Sequence, residues 1–511
     1  MRQLLTSLVL TALLADLVAA QAPMPEPSPA APATASPAPE KTSPENAATP
    51  DKPAASQPAD KPEKPEVLVQ PSPELLTEFR NARRGLMQKV ISRQANQQIE
   101  GLQELQGYPF PEAAKLVLGR LRDSNPEVVK AAIETLLTYR NQPEIAALLM
   151  QTFRKESVNQ IDTSYLSLLT VLAASELPQV KEQLILLLDM TLGSNPRRWQ
   201  KLTVSMDELV KCAGPEALNA LRVLRETLPF QKDFGFRRAV VQATINLRTK
   251  ESVGQLIQWM DFLDGEIRGD LMRHLSSLAN HFVGPDAKDW AEWWQKAQAD
   301  FEFPDVAPSA IIATVEGQTL VESDYARWGK TQFYGLPVYA RKIVFVLDAS
   351  SSMLQGTRMN DAKAQLINSI NELDENYRFN IIVYNQTVGA WQRQMIQATE
   401  SSRKHALRYI ASVQPQAATA TFDALEAAFS HPDLEAVYLV TDGVPTTGKV
   451  IHLEAIIKAV SEQNQARRVT LNVIGIQPEG PFEEFLKALA EKNFGTYRRV
   501  QDTVQLPPSV R

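Results

Sequence analysis

One sequence feature limits the possible folds of this chain more than any other. It is a short apolar run that leads directly into a hydroxyl-rich loop. Residues 343–347 read Ile-Val-Phe-Val-Leu, and Asp348-Ala349-Ser350-Ser351-Ser352 follow at once. An unbroken run rich in β-branched residues predicts a strand covered on both faces, as in a parallel sheet. Alternate side chains of an extended backbone point the same way, so Asp348, Ser350 and Ser352 can converge just past the strand.

Two later segments carry oxygen-bearing side chains at comparable positions. Thr419 precedes an apolar helical stretch, and Asp442 follows the strand-like run 436–440 and precedes Gly443, where the chain can turn. Ligands of open α/β sheets gather beyond the carboxyl ends of the strands. We therefore predict one site from three loops, of the oxygen-only kind that suits Mg²⁺ (or Mn²⁺ or Ca²⁺). Its five predicted metal ligands are Asp348, Ser350, Ser352, Thr419 and Asp442.

The segments DASSS, ATATFDAL and LVTDGVP together resemble the von Willebrand factor A domain and its metal-ion-dependent adhesion site. That site follows the pattern Asp-x-Ser-x-Ser, then Thr, then Asp. The resemblance covers residues 341–500 and implies metal-bridged binding of a partner protein's carboxylate. Members of the family commonly have Gly where Ser351 stands and Gly-Gly where Ala417-Ala418 stand. Neither position supplies a ligand in the family, but both substitutions bear on the stiffness and placement of the loops.

The rest of residues 341–500 alternates between strand and helix patterns, which predicts a mostly parallel, doubly wound, Rossmann-like α/β sheet. Further strands are expected at 379–384, 436–440, 469–476 and 495–500. Helices are expected at 359–373, 401–410, 422–429, 452–462 and 481–491.

Residues 74–302 show helical periodicity throughout, broken by polar turns that are followed by proline. Asp, Ser or Asn before a first-turn proline marks a helix start. Proline-led starts of this or a similar kind occur at Pro126, Pro143, Pro178, Pro196 and Pro215. Helix pairs that repeat every few dozen residues predict an all-α, HEAT-like solenoid. The segment Asp286–Trp294 also resembles the terminal unit of bacterial HEAT-repeat proteins, and we expect its tryptophans to serve packing rather than a sugar or base platform.

The flanking segments predict export. Residues 1–20 read as a cleaved signal peptide, with an uncleaved anchor as the alternative. No cysteine stands at the end of the apolar run, which argues against a lipoprotein-type anchor. Residues 21–73, rich in Pro and Ala, predict a disordered linker. We expect residues 303–340 to form a connector with a hairpin near 310–321, and residues 501–511 to form a tail. We therefore expect a periplasmic or extracellular protein of the cell envelope, without a membrane span after cleavage.

The composition of the chain and the motifs that it lacks argue against several classes of function. The 511 residues include 22% charged side chains and carry a net charge of −6 with no basic block, so nucleic acid is not an expected partner. Haloacid dehalogenase-type phosphatases need a second Asp where Ser350 stands, so Ser350 argues against that chemistry. A Gly-rich phosphate loop and a G-x-S-x-G elbow are absent from the sequence.

We predict a non-catalytic binding protein that uses the metal site, with the helical repeats as a second interaction surface for a protein partner. The first alternative is a metal-independent scaffold acting through the repeats. The second is a Mg²⁺-dependent hydrolase.

Overall fold

The computed structural model describes residues 72–155, 163–188, 196–304 and 331–501, where a helical region precedes an α/β domain. The expected signal peptide, nearly all of the linker, the hairpin near 310–321 and residues 502–511 of the tail lie outside the described residues. None of the helices in the described ranges has the length and hydropathy needed to cross a membrane.

Local sequence signals explain where many of the helices begin. Asn125 Oδ1 accepts a hydrogen bond from Glu127 N (2.9 Å), and Asp233 Oδ1 accepts one from Phe236 N (2.7 Å). Pro215 lies in a single 3₁₀ turn just before a helix rather than at the helix's first residue, which corrects that prediction. The α-helices described in this region are α1 (Pro73–Val90), α2 (Ala95–Leu105), α3 (Pro111–Leu118), α4 (Pro126–Thr138), α5 (Pro143–Lys155), α6 (Thr163–Ala173), α7 (Pro178–Leu188), α8 (Pro196–Ala213), α9 (Ala217–Arg225), α10 (Leu228–Lys232), α11 (Phe234–Asn246), α12 (Lys250–Trp259), α13 (Gly265–Ala279) and α14 (Ala287–Ala297).

These helices stack in two layers, as the HEAT-like prediction requires. In one layer α2, α4, α6, α8, α11 and α13 contact one another in succession. In the other, α1 contacts α3, α3 contacts α5, α7 contacts α9, and α12 contacts α14. Helix α14 closes the stack with Trp290 and Trp294 buried, and Trp290 Nε1 donates to Gly284 O (2.7 Å). The tryptophans therefore pack the end of the stack, which confirms that prediction.

The α/β domain contains the predicted parallel sheet with helices on both faces. Its strands are β1 (Gln332–Phe333), β2 (Leu336–Pro337), β3 (Lys342–Asp348), β4 (Arg378–Tyr384), β5 (Val388–Ala390), β6 (Ile396–Gln397), β7 (Ala436–Thr441), β8 (Thr470–Ile476) and β9 (Tyr497–Val500). Its helices are α15 (Arg358–Glu372), α16 (Glu400–Ser412), α17 (Thr421–Phe429), α18 (Leu453–Asn464) and α19 (Pro481–Glu491).

The order of the strands is β5-β4-β3-β7-β8-β9, with β6 also paired to β4 and β1–β2 forming a separate hairpin. Strands β4, β3, β7, β8 and β9 run parallel, whereas β5 and β6 are antiparallel to β4 and were not predicted. Leu347 near the end of β3 lies opposite Val383 on β4 and Val440 on β7. The loops that follow β3 and β7 therefore leave the same edge of the sheet, here called the carboxyl rim.

Two buried arginines connect the helical region to the α/β domain. Arg238 on α11 donates from Nη1 to Arg468 O (2.6 Å) and Thr470 Oγ1 (2.8 Å), and from Nε to Asp270 Oδ2 (2.7 Å). Arg468 donates in return from Nη2 to Asp207 Oδ2 on α8 (2.6 Å). Because buried guanidinium groups are costly unless fully paired, these reciprocal contacts favour one docking arrangement.

A buried carboxyl group marks a second contact, at the edge of the sheet where the parallel strands begin. Glu435 precedes β7, and its Oε2 accepts hydrogen bonds from Arg341 N (2.8 Å) and from Glu266 N on α13 (3.5 Å). Gly265 has a φ of +57°, and a Cβ there would come within 2.3 Å of Glu435 Oε2. Burial raises the pKa of Glu435 to about 7, against the hydrogen bond from Arg341 N.

We expect Glu435 to make stability rise as the pH falls from about 7 toward 4.5. In that range the folded protein holds a proton on Glu435, whose ordinary pKa is 4.5 in the unfolded chain, so folding takes up a proton. The gain is on the order of 3 kcal/mol. Urea denaturation of the wild type and Glu435→Gln across this range measures it as the difference between the two curves. A difference that does not change with pH would contradict the prediction.

Candidate metal centre

Each of the five predicted ligands lies at the carboxyl rim or in a loop that folds over it. Asp348 is the last residue of β3, and Ser350 and Ser352 occupy the turn that follows. Thr419 lies two residues before α17, and Asp442 directly follows β7. Because β3 and β7 are parallel neighbours, the strand pairing itself brings these loops together.

Three hydroxyl groups from these loops face one small space beside Gly443. Ser350 Oγ lies 3.0 Å from Ser352 Oγ. A Cβ built on Gly443 would lie 3.1 Å from Ser352 Oγ, 3.6 Å from Thr419 Oγ1 and 3.8 Å from Ser350 Oγ. Any side chain at position 443 would therefore fill the space between the hydroxyls, and glycine leaves it open.

Asp348 is fully buried and held by hydrogen bonds from the protein. Its Oδ1 accepts from Ser350 N (2.8 Å), and its Oδ2 accepts from Thr441 Oγ1 (2.7 Å) and from the Tyr384 hydroxyl (3.2 Å). Burial raises the pKa of Asp348 to about 6, the hydrogen bonds from Thr441 and Ser350 oppose the rise, and the charge of Asp442 adds to it. The carboxylate is thus fixed in orientation just behind the hydroxyl groups.

Asp442 is paired with a cation of the protein itself. Its Oδ2 lies 2.8 Å from Arg358 Nη1, and its Oδ1 accepts a hydrogen bond from Ser352 Oγ (2.6 Å). Arg358 Nη2 donates to Gln477 Oε1 (2.7 Å). The Asp442 side chain is fully buried and that of Arg358 is 14% exposed. Since Asp348 and Asp442 are the two carboxylates here, Arg358 cancels one of their two charges.

The two positions that depart from the family pattern contact each other. Ser351 donates from its backbone N (3.2 Å) and its Oγ (2.9 Å) to Ala417 O. Ala417 has a φ of +62°, in the left-handed region that costs a residue with a Cβ roughly 1–2 kcal/mol. The Ser351 hydroxyl, which glycine lacks, therefore helps to hold Ala417 in a conformation that glycine adopts without strain.

The loop carrying Asp442 is also tied to the loop carrying Thr419. Thr446 N donates to Thr419 O (2.9 Å), and Thr419 N donates to Thr446 Oγ1 (2.9 Å). Asp423 on α17 accepts from Lys449 N (3.1 Å), so its carboxylate fixes the same loop. These contacts set the position of Thr419.

Sequence reasoning missed four residues of this network: Thr441, Tyr384, Arg358 and Gln477. The sequence does point to Thr441, because this residue immediately precedes the predicted ligand Asp442. Nothing in the sequence points to Arg358, since it lies 84 residues from Asp442 in the chain. Nowhere in the described ranges do three or more His, Cys, Asp or Glu side chains cluster as metal ligands. A cation here therefore depends on the hydroxyl groups, and metal binding by the five residues stays a prediction.

Residues 341–499 match the family model of the von Willebrand factor type A domain. These residues form a von Willebrand factor type A domain. Human von Willebrand factor A domain-containing protein 3A is 28% identical over 172 residues, 33% of this chain and 14% of that protein. Human inter-alpha-trypsin inhibitor heavy chain H2 is 29% identical over 243 residues, 41% of this chain and 25% of that protein. The chain thus covers a quarter or less of the length of these two relatives.

Two solved structures are each similar to about a third of the chain. A von Willebrand factor type A protein from Catenulispora acidiphila is 19% identical, covers 32% of this chain and 39% of that chain, and has a TM-score of 0.27. The conserved hypothetical protein BatB from Bacteroides thetaiotaomicron is 20% identical, covers 32% and 91%, and has a TM-score of 0.25.

We expect Arg358→Met, measured with chelator present, to lower the unfolding free energy by about 3–5 kcal/mol, because it leaves the Asp442 carboxylate buried and unpaired. Adding Asp442→Asn in the same chain should recover most of the loss, and a double-mutant cycle by urea denaturation gives the coupling. Arg408→Met, at an exposed position on α16, is the matched control and should stay within about 0.5 kcal/mol of wild type. Equal losses in Arg358→Met and Arg408→Met would contradict the assignment.

Proposed function

We propose that this chain is an exported, non-catalytic binding protein. Its von Willebrand factor A domain would hold a divalent cation at the carboxyl rim and bind a carboxylate of a protein partner there. The observation that carries the proposal is the convergence of three hydroxyls, from Ser350, Ser352 and Thr419, on the space beside Gly443. Export rests on the signal-peptide pattern of residues 1–20.

The donor set fits a hard cation such as Mg²⁺. The three hydroxyl groups would bind the ion directly. Both oxygens of Asp348 and of Asp442 already accept hydrogen bonds from the protein, so these carboxylates would act through water. Mg²⁺ is commonly bound in this manner, with few carboxylates and several retained waters.

The charge of the site favours an anionic partner once the cation is bound. Asp348 and Asp442 contribute two negative charges, and Arg358 returns one positive charge. A divalent cation therefore leaves the site with one net positive charge, which a partner's carboxylate neutralises. Leu354 and Val444, in the loops of the site, are 64% and 48% exposed and offer apolar contacts. Von Willebrand factor type A domains generally mediate protein–protein interactions, which further supports a protein partner.

The helical repeats are the proposed second interaction surface. Three large apolar side chains are exposed in the helical region, two of them on α7 and α9 and the third in the turn after α12. Leu186 on α7 is 60% exposed, Val223 on α9 is 67% exposed, and Phe262 after α12 is 65% exposed. Exposed apolar side chains of this kind suit binding to a protein.

Calorimetric titration with Mg²⁺ and Mn²⁺ tests the metal site. We expect binding by the wild type and at least about tenfold weaker binding by Ser350→Ala and Thr419→Ala, a loss of about 1.4 kcal/mol or more each. Ser401→Ala is the matched control, because that hydroxyl is exposed at the start of α16 and belongs to none of the three loops of the site. Arg358→Met should bind the cation more tightly, since it removes a nearby like charge. A silent wild-type titration would favour the metal-independent scaffold.

Recovery of partners from a cell-envelope extract, with and without chelator, tests the mode of binding. We expect a partner that the wild type retains in Mg²⁺, releases in chelator, and does not bind when Asp442 is replaced by Ala. Circular dichroism of Asp442→Ala establishes whether the domain stays folded, and Ser401→Ala again serves as the control. Undiminished capture by folded Asp442→Ala would rule out this binding mode.

A further inference from the structure

A cleft of about 760 Å³ opens where the helical region meets the von Willebrand factor A domain. It lies at the edge of the sheet where β3 and β4 begin, opposite the carboxyl rim. Lys232 and Arg237 line it from the helical region, and Arg341, Lys342 and Arg378 line it from the strand starts. We propose that this cleft binds an acidic segment of a partner protein.

Three of these cations form no ion pair with a carboxylate within the described ranges of the chain. Arg378 donates from Nη2 to the main-chain oxygen of Met395 (3.1 Å). Arg237 donates from Nη1 to Gln231 O at 3.5 Å, and its Nε is buried without a hydrogen-bond partner. The guanidinium of Arg341 lies over the Tyr377 ring, 4.5 Å from its centroid. Among the described residues these three side chains bond only to neutral groups, although the charge of Arg237 also acts on the Asp233 carboxyl and opposes the rise of its pKa. The positive charge of Arg341 and Arg378 is therefore the most available to an anion.

The acidic residues of the cleft do not cancel this charge. Asp433 lies 3.7 Å from Lys342 and pairs with it. Glu435 is buried behind the cleft, where its carboxyl group accepts the hydrogen bond from Arg341 N. Asp264 is the third acidic side chain on the lining. Five cations thus face three acidic groups, and the excess positive charge comes from arginines, whose planar groups pair with carboxylates in a bidentate manner.

The mixed lining favours a polypeptide over a dense polyanion. A peptide can present carboxylates to Arg237 and Arg378 and backbone N–H groups to Asp264 and Asp433. A nucleic acid would meet repulsion from those two carboxylates and from the net charge of −6 of the whole chain. Small-molecule pockets of similar volume are mostly apolar, whereas this cleft is lined mainly by charged side chains. The observations therefore point to an acidic protein segment.

The experiment uses the full chain in chelator, so that the site at the carboxyl rim does not contribute. A short fluorescein-labelled peptide of alternating Glu and Gly is titrated by fluorescence anisotropy at about 0.05 M and about 0.5 M NaCl. We expect saturable binding that weakens with salt and falls at least about tenfold in Arg378→Glu. Arg378 is exposed, so the variant should fold, and Arg408→Glu, the same charge reversal at an exposed position on α16, should bind as wild type.

Further arms separate the alternatives. Ser350→Ala should leave peptide binding unchanged, so failure of this proposal and failure of the metal site are distinguishable. A Lys-Gly peptide should not bind. Equal binding of the acidic peptide to wild type and Arg378→Glu would overturn the proposal, as would binding of single-stranded DNA or tripolyphosphate by a protein that ignores the acidic peptide.

Discussion

The parallel pairing of β3 with β4 on one side and with β7 on the other determines both ends of the α/β domain. At the carboxyl rim, β3 ends in Asp348 and β7 leads into Asp442. At the opposite edge, Arg341 precedes β3 and donates its backbone N–H to Glu435, which precedes β7. The same two strands therefore carry the candidate metal site at one end and the contact with α13 at the other.

The fold and the meeting of the three loops could be predicted because they depend on simple patterns. The apolar run 343–347 predicts a strand buried on both faces, and both buried cores, one on each face of the sheet, include its residues. Parallel pairing then places the polar residues after β3 and β7 at one edge without further information. The order of the motifs along the chain was enough to assign the domain.

The contacts within the site could not be predicted, because they depend on residues far apart in sequence. No periodicity links Arg358 to Asp442, and only the folded domain brings this ion pair together. The positive φ of Ala417 is likewise a property of the loop, although the alanine stands where glycine is common in the family. Strands β5 and β6 contain three and two residues, too few for an alternating pattern to be recognised.

The contact between the helical region and the α/β domain was also predictable only in part. Helical periodicity predicted the paired helices but not which of them face the sheet. That choice depends on polar residues that the pattern treats as exceptions, such as Arg238 on α11 and Arg468 before β8. The guanidinium groups of both arginines also lie near the Phe494 ring, at 5.4 and 5.7 Å from its centroid. Buried charges that also form hydrogen bonds across the contact make it specific in orientation.

The length of β7 has a consequence for how many molecules this protein can engage. Seven residue steps separate Glu435 from Asp442, and a strand rises about 3.3 Å per residue, so the two edges of the sheet lie roughly 23 Å apart. That span exceeds the diameter of a single α-helix with its side chains, about 10–12 Å. The two proposed partners, one at each edge, would therefore not collide, and the domain would bridge them.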